Sequence, residues 1–142
     1  MAVLASYATL FALSIAGATA IPMSSEPPLI YLVRTEQGVA LPVLVATIGN
    51  VLGACTTYLI GRGASRALMR NRKPMRGQES AARLLKRYGQ PVLLLSWVPF
   101  VGHALVALAG AAGMRFWSFC FWVGLGKGLR FLAIALAAVN FF

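Results

Sequence analysis

The sequence predicts an all-α integral membrane protein, and three observations carry that prediction. Of its 142 residues, 59% are hydrophobic and 11% charged, with a mean hydropathy of +0.77. A soluble domain carries about 25% charged residues. Two apolar runs, Val39 to Gly61 and Phe116 to Phe142, are long enough to cross a bilayer, which takes about 20 residues. Two other apolar stretches are broken by Pro or Gly, and each precedes one of the intact runs. Broken backbone at membrane depth is tolerated only where it is buried in protein or lines a cavity. The order therefore predicts an inverted repeat of two re-entrant helical segments, each followed by a transmembrane helix. A basic cytoplasmic loop with a short amphipathic helix joins them. Residues 1–61 are the first half, 62–90 the loop and 91–142 the second half of a single membrane domain. The competing topology makes all four apolar segments full spans. It would put the N-terminus inside, where the re-entrant arrangement puts it outside.

Ala2 to Ile21 is rich in Ala, Leu and Ile, and Ala18-Thr19-Ala20 mimics a signal-peptide cleavage motif. No Lys or Arg precedes Arg34, so the basic leading region of a signal peptide is missing and the segment is read as retained. Ile21-Pro22-Met23-Ser24-Ser25-Glu26-Pro27-Pro28 interrupts it, and the first re-entrant segment is centred on Ser25 to Pro28. Val39 to Gly61 is the first intact span. Nine of the 13 cations follow, from Arg62 to Arg87: Arg62, Arg66, Arg70, Arg72, Lys73, Arg76, Arg83, Lys86 and Arg87. Such a run could bind nucleic acid. Apolar segments flank it on both sides, so the positive-inside rule explains it better, with a cytoplasmic loop resting against anionic headgroups. Within the loop, Ser80 to Tyr88 reads as an amphipathic helix, with Leu84, Leu85 and Tyr88 opposite Arg83, Lys86 and Arg87. Pro91 to Gly113 is apolar but interrupted by Pro99 and Gly102. The second re-entrant segment is centred on Trp97 to His103, and Arg115 opens the final helix.

Lys127 and Arg130 are the only charges in that final run and stand one helical turn apart, on one face. A charge at membrane depth costs about 2.5–3.5 kcal/mol on insertion scales and is tolerated when it faces protein, water or ligand. Glu26, at the first break, is an expensive carboxylate without a partner, and Lys127, Arg130 and Arg62 are placed to supply one. It is also a candidate proton carrier. His103 stands just past Pro99, and histidine is the side chain whose unperturbed charge changes near neutral pH. Gly49 and Gly53 form a GxxxG spacing that lets another helix approach closely. Asn50 and Thr56 to Tyr58 would add polar groups to a cavity wall. Gly124, Gly126 and Gly128 thin the helix around Lys127, either for a bulky headgroup or for tight packing. Cys55 and Cys120 show no metal spacing and read as small buried residues. With no Asp in the chain there is no Ser/His/Asp set, and GxSxG, HExxH and phosphate-binding glycine loops are missing. The chain is therefore not expected to be an enzyme or to need a cofactor.

Ala46-Thr47-Ile48-Gly49-Asn50-Val51-Leu52-Gly53-Ala54, continuing through Tyr58 to Gly61-Arg62, resembles the G-xxx-G…Y-xx-G-R signature of the DedA family, also called SNARE-associated or VTT-domain proteins. Leu84-Leu85-Lys86-Arg87-Tyr88-Gly89, Leu93 through Gly102, and Leu125-Gly126-Lys127-Gly128-Leu129-Arg130-Phe131 are similar to its short YqaA-like subgroup, as is Ser25-Glu26. The resemblance covers nearly the whole chain. It implies a bacterial inner-membrane protein with two opposed re-entrant loops and a role in lipid movement. Some family members are thought to return undecaprenyl phosphate across the membrane, and eukaryotic relatives to scramble phospholipids. By motif position Glu26 is the first-loop carboxylate, Arg62 ends the first span, and Lys127 and Arg130 are the basic pair of the last helix. The subgroup usually has an acidic residue where this chain has His103.

The leading expectation is thus a small lipid transporter. Glu26, Arg62, His103, Lys127 and Arg130 would form its substrate site, an anionic headgroup its ligand, and a proton its one candidate coupling agent. Membrane lipids are the expected partners, nucleic acid is not, and the glycine patterns are compatible with a homodimer. A second expectation is a membrane scaffold with a static charge network. A third is a proton or ion pathway through Glu26 and His103.

Overall fold

The computed structural model describes residues 1–18, 25–35, 38–68, 78–98 and 101–141, with side chains at 65–68 and 78–82 left aside. Pro22, Pro99 and the loop cations Arg70, Arg72, Lys73 and Arg76 lie outside the described residues. Among the described residues every regular element is helical: α1 (Ala2–Ala18), α2 (Glu26–Thr35), α3 (Ala40–Leu68), α4 (Gln78–Tyr88), a 3-10 helix (Gln90–Trp97), α5 (Val101–Ala111) and α6 (Phe116–Phe141). Two of these are long and apolar enough to cross a membrane, over Ala40–Ala64 in α3 and over Phe116–Phe141. At 1.5 Å per residue they span about 37 and 39 Å, against a hydrocarbon core of about 30 Å. At 10 and 11 residues, α2 and α5 are too short to cross it alone.

The element boundaries adjust three expectations. Ser25 to Pro28, the centre of the first expected re-entrant segment, lies at the start of a helix. Glu26, Pro27 and Pro28 are the first turn of α2, and Leu29 donates its N–H to the Ser25 carbonyl at 3.3 Å. Proline is tolerated there because first-turn N–H groups have no helical partner to lose. Gly102 is likewise no interruption but lies inside α5, and the residues before the break, Gln90 to Trp97, wind as a 3-10 helix. That helix starts after Gly89, whose φ of 69° suits glycine. The first span runs past Gly61 to Leu68, carrying the start of the basic loop on its last two turns. The amphipathic helix appears as α4, and Arg115 caps α6, its carbonyl accepting from the Phe119 N–H.

The chain packs as two units. The first takes Met1–Gly53 and Lys127–Phe142, the second Ala54–Gly126. The first unit buries Leu10 from α1, Leu29, Leu32 and Val33 from α2, Val43 and Ala46 from α3, and Phe131 and Ala135 from α6. Its α3 glycines are filled by α1. A Cβ on Gly49 would come within 2.9 Å of the Phe11 carbonyl oxygen and of Ser14 Cβ, and one on Gly53 within 2.7 Å of Ala18 Cβ. The GxxxG spacing therefore serves close helix packing, where small residues replace the absent hydrophobic drive between helices in lipid.

The second unit buries Ala54 and Tyr58 from α3, Val92 and Leu93 from the 3-10 helix, Leu105, Val106 and Ala109 from α5, and Phe119 and Val123 from α6. Leu84 and Leu85 of α4 pack against this core, leaving Arg83, Lys86 and Arg87 exposed. Within each unit α3 and α6 run antiparallel. Their contacts descend one helix as they climb the other, with Thr47 by Gly128 and Asn50 by Lys127 in the first unit. Cys55 by Cys120 and Tyr58 by Phe116 continue the pattern in the second.

Candidate functional site

Lys127 lies near the middle of the 26-residue α6, and Asn50 near the middle of the Ala40–Ala64 apolar stretch. Antiparallel spans pair centre with centre, and the Lys127 Nζ donates a hydrogen bond to Asn50 Oδ1. Both residues are buried, Lys127 to 8% and Asn50 to 6% exposure. A hydrogen bond to a charged group contributes about 1.5–3 kcal/mol, which offsets much of the cost of placing the ammonium at this depth.

One turn further along α6, the Arg130 Nη2 donates to Glu26 Oε1 and forms an ion pair with it. Glu26 opens α2, where the positive end of the helix dipole favours a carboxylate. This pair is only partly covered by protein, with 37% of the arginine and 41% of the glutamate side chain exposed. The first unit therefore holds two cations one turn apart. One is buried on a neutral amide, the other half-open on a carboxylate.

The other two predicted site residues belong to the second unit. Arg62 is exposed on α3, and His103 is half-buried in the first turn of α5. The structure thus brings together Glu26, Lys127 and Arg130 of the predicted set and adds Asn50 as the lysine's partner. Sequence reasoning gave Asn50 only a place on a cavity wall. The signal that could have found it is its position at the centre of a span that must run antiparallel to the span holding Lys127.

The second unit has two polar contacts of its own. Tyr58, fully buried, donates its hydroxyl to the Met114 carbonyl just ahead of α6 and stacks near Phe116 and Phe119. The half-buried Cys55 and Cys120 bring their sulfurs to 3.7 Å, so they meet each other across α3 and α6 rather than sitting apart. Ser96 in the 3-10 helix has a buried hydroxyl with no hydrogen-bond partner among the described residues.

The VTT domain model matches residues 21–139, which includes every residue of the candidate site. The chain belongs to the VTT-domain, or DedA, family. Among VTT-domain relatives it is 42% identical over 135 residues to "Inner membrane protein YqaA" of Escherichia coli (strain K12), covering 93% of this chain and 90% of the relative. The same figures hold for the protein of that name from Shigella flexneri. An uncharacterized protein of Haemophilus influenzae is 37% identical over 99 residues, covering 70% of this chain and 60% of that one. No solved structure matches the chain significantly. This VTT-domain protein is therefore a helical membrane protein with two membrane-length helices.

Proposed function

We propose that this protein is an inner-membrane lipid transporter that carries an anionic headgroup across the bilayer on the Lys127–Arg130 face of α6. The observation that carries the reading is Lys127, a cation buried at the centre of a bilayer-length helix whose hydrogen-bonded partner is neutral. A phosphate oxygen would accept the N–H groups that Asn50 leaves over and would lower the cost of the charge. Arg130, already paired with Glu26, supplies a second contact when a headgroup displaces the carboxylate, with or without a proton. The acyl or prenyl chain stays in the bilayer, and no covalent chemistry is needed. The short α2 and α5, at 10 and 11 residues, each fit a re-entrant segment. The basic residues of 62–90 keep that loop in the cytoplasm. The inner-membrane location rests on the names of the relatives.

A proteoliposome assay offered undecaprenyl phosphate and a fluorescent phospholipid tests this directly. Wild type is expected to translocate one of them, and folded Lys127→Ala and Arg130→Ala to lose at least tenfold in rate. One observation favours a scaffold instead: Glu26 and Arg130 answer each other's charge within the chain. Translocation of neither lipid by folded wild type would decide for that reading.

A further inference from the structure

Lys127 and Arg130 differ in how their charge is answered. The ammonium of Lys127 has three N–H donors. Among the described residues one goes to Asn50, and no carboxylate lies within ion-pair range. Arg130, by contrast, meets Glu26. An amide oxygen orients an ammonium without cancelling it. Aspartate, the same size as asparagine, would cancel it and close a buried ion pair. The backbone that carries Asn50 is closely packed, because Gly49 beside it lies against Phe11 and Ser14 of α1.

We propose that Asn50 sets the ligand charge of this site. It holds Lys127 in place while leaving the full positive charge for a lipid headgroup of one net negative charge, a phosphodiester or a singly ionised phosphomonoester. The inference rests on the headgroup reading given above. A zwitterionic headgroup brings its own cation towards Lys127 and is disfavoured, so the neutral acceptor works as a selectivity device. Asn50 is a positioning residue, acting through the lysine.

The test compares phosphatidylglycerol with phosphatidylcholine, reading apparent affinity from lipid-dependent thermal stabilisation of the purified full chain in detergent. Wild type is expected to prefer phosphatidylglycerol by at least tenfold. Asn50→Asp is expected to stay folded, with that preference reduced to about one. Asn50→Leu removes the hold but not the charge, so affinity for both lipids falls together and the ratio stays. A merely structural role for Asn50 would lower both affinities in the Asp variant and spare the ratio, which overturns the proposal. Loss of the ratio in Asn50→Leu overturns it as well, even if the Asp variant does not fold. A wild type with no preference overturns this assignment and the headgroup reading together. Preference lost in Lys127→Ala but kept in Asn50→Asp removes Asn50 alone and leaves the headgroup site standing.

Discussion

Lys127 is poorly suited to a purely structural role. Replacing a buried charge and its partner environment with apolar surface of similar shape is often neutral or stabilising. Lys127→Met combined with Asn50→Leu should therefore raise the midpoint of thermal unfolding in detergent, or leave it unchanged, while abolishing the proposed lipid translocation. A fall of several degrees would mean that the charge serves the fold. Tyr58 should behave in the opposite way. Its hydroxyl holds the Met114 carbonyl in a fully buried position, so Tyr58→Phe should cost about 0.5–1.5 kcal/mol, measured by denaturant titration in mixed micelles, and leave headgroup affinity alone. The lysine and its neighbour Arg130 were legible in the sequence because a charge inside an apolar run violates the pattern around it. Asn50 was not, because a lone amide in a span breaks no rule and its partner is 77 residues away.

Among the elements, α3 shows how far a pattern can be read. Its GxxxG spacing announced close packing, but the partner, α1, could not be named from α3 alone. Gly53 meets the backbone of Ile15 and the methyl of Ala18, so Gly53→Val should destabilise the protein by about 1–3 kcal/mol through overpacking, seen as a lower midpoint in the same titration. Because this glycine face is filled from within the chain, a homodimer would have to use another surface. The prolines at 27 and 28 mark the expected boundary from its far side: α1 ends at Ala18 and they stand in the first turn of α2, because proline is excluded from helix interiors and not from first turns. The 3-10 helix left no trace at all. An apolar run with Pro91 near its start has no period that separates three residues per turn from 3.6. Its geometry is fixed by contacts from elsewhere, such as the Leu94 carbonyl, which would lie 2.6 Å from a Cβ on Gly126.

For the molecule as a whole, the two packing units do not follow the order of the chain. The repeated layout of broken stretch and intact span was readable along the sequence, whereas the division of α3 and α6 between units depends on which side chains meet. The first unit needs Phe131 and Ala135 from α6 to complete its core. A fragment covering residues 1–68 should therefore be rapidly degraded when expressed alone and recovered when co-expressed with residues 78–142, as read by protease resistance in membranes. Protease resistance of the first fragment by itself would show that its core closes without α6. The same feature gives the protein a schedule. Residues made first belong to the unit that is finished last, since Asn50 cannot bond Lys127, nor Glu26 meet Arg130, until the final helix has left the ribosome. The charged site is thus assembled only on a completed chain, and a truncated product carries no working version of it into the membrane.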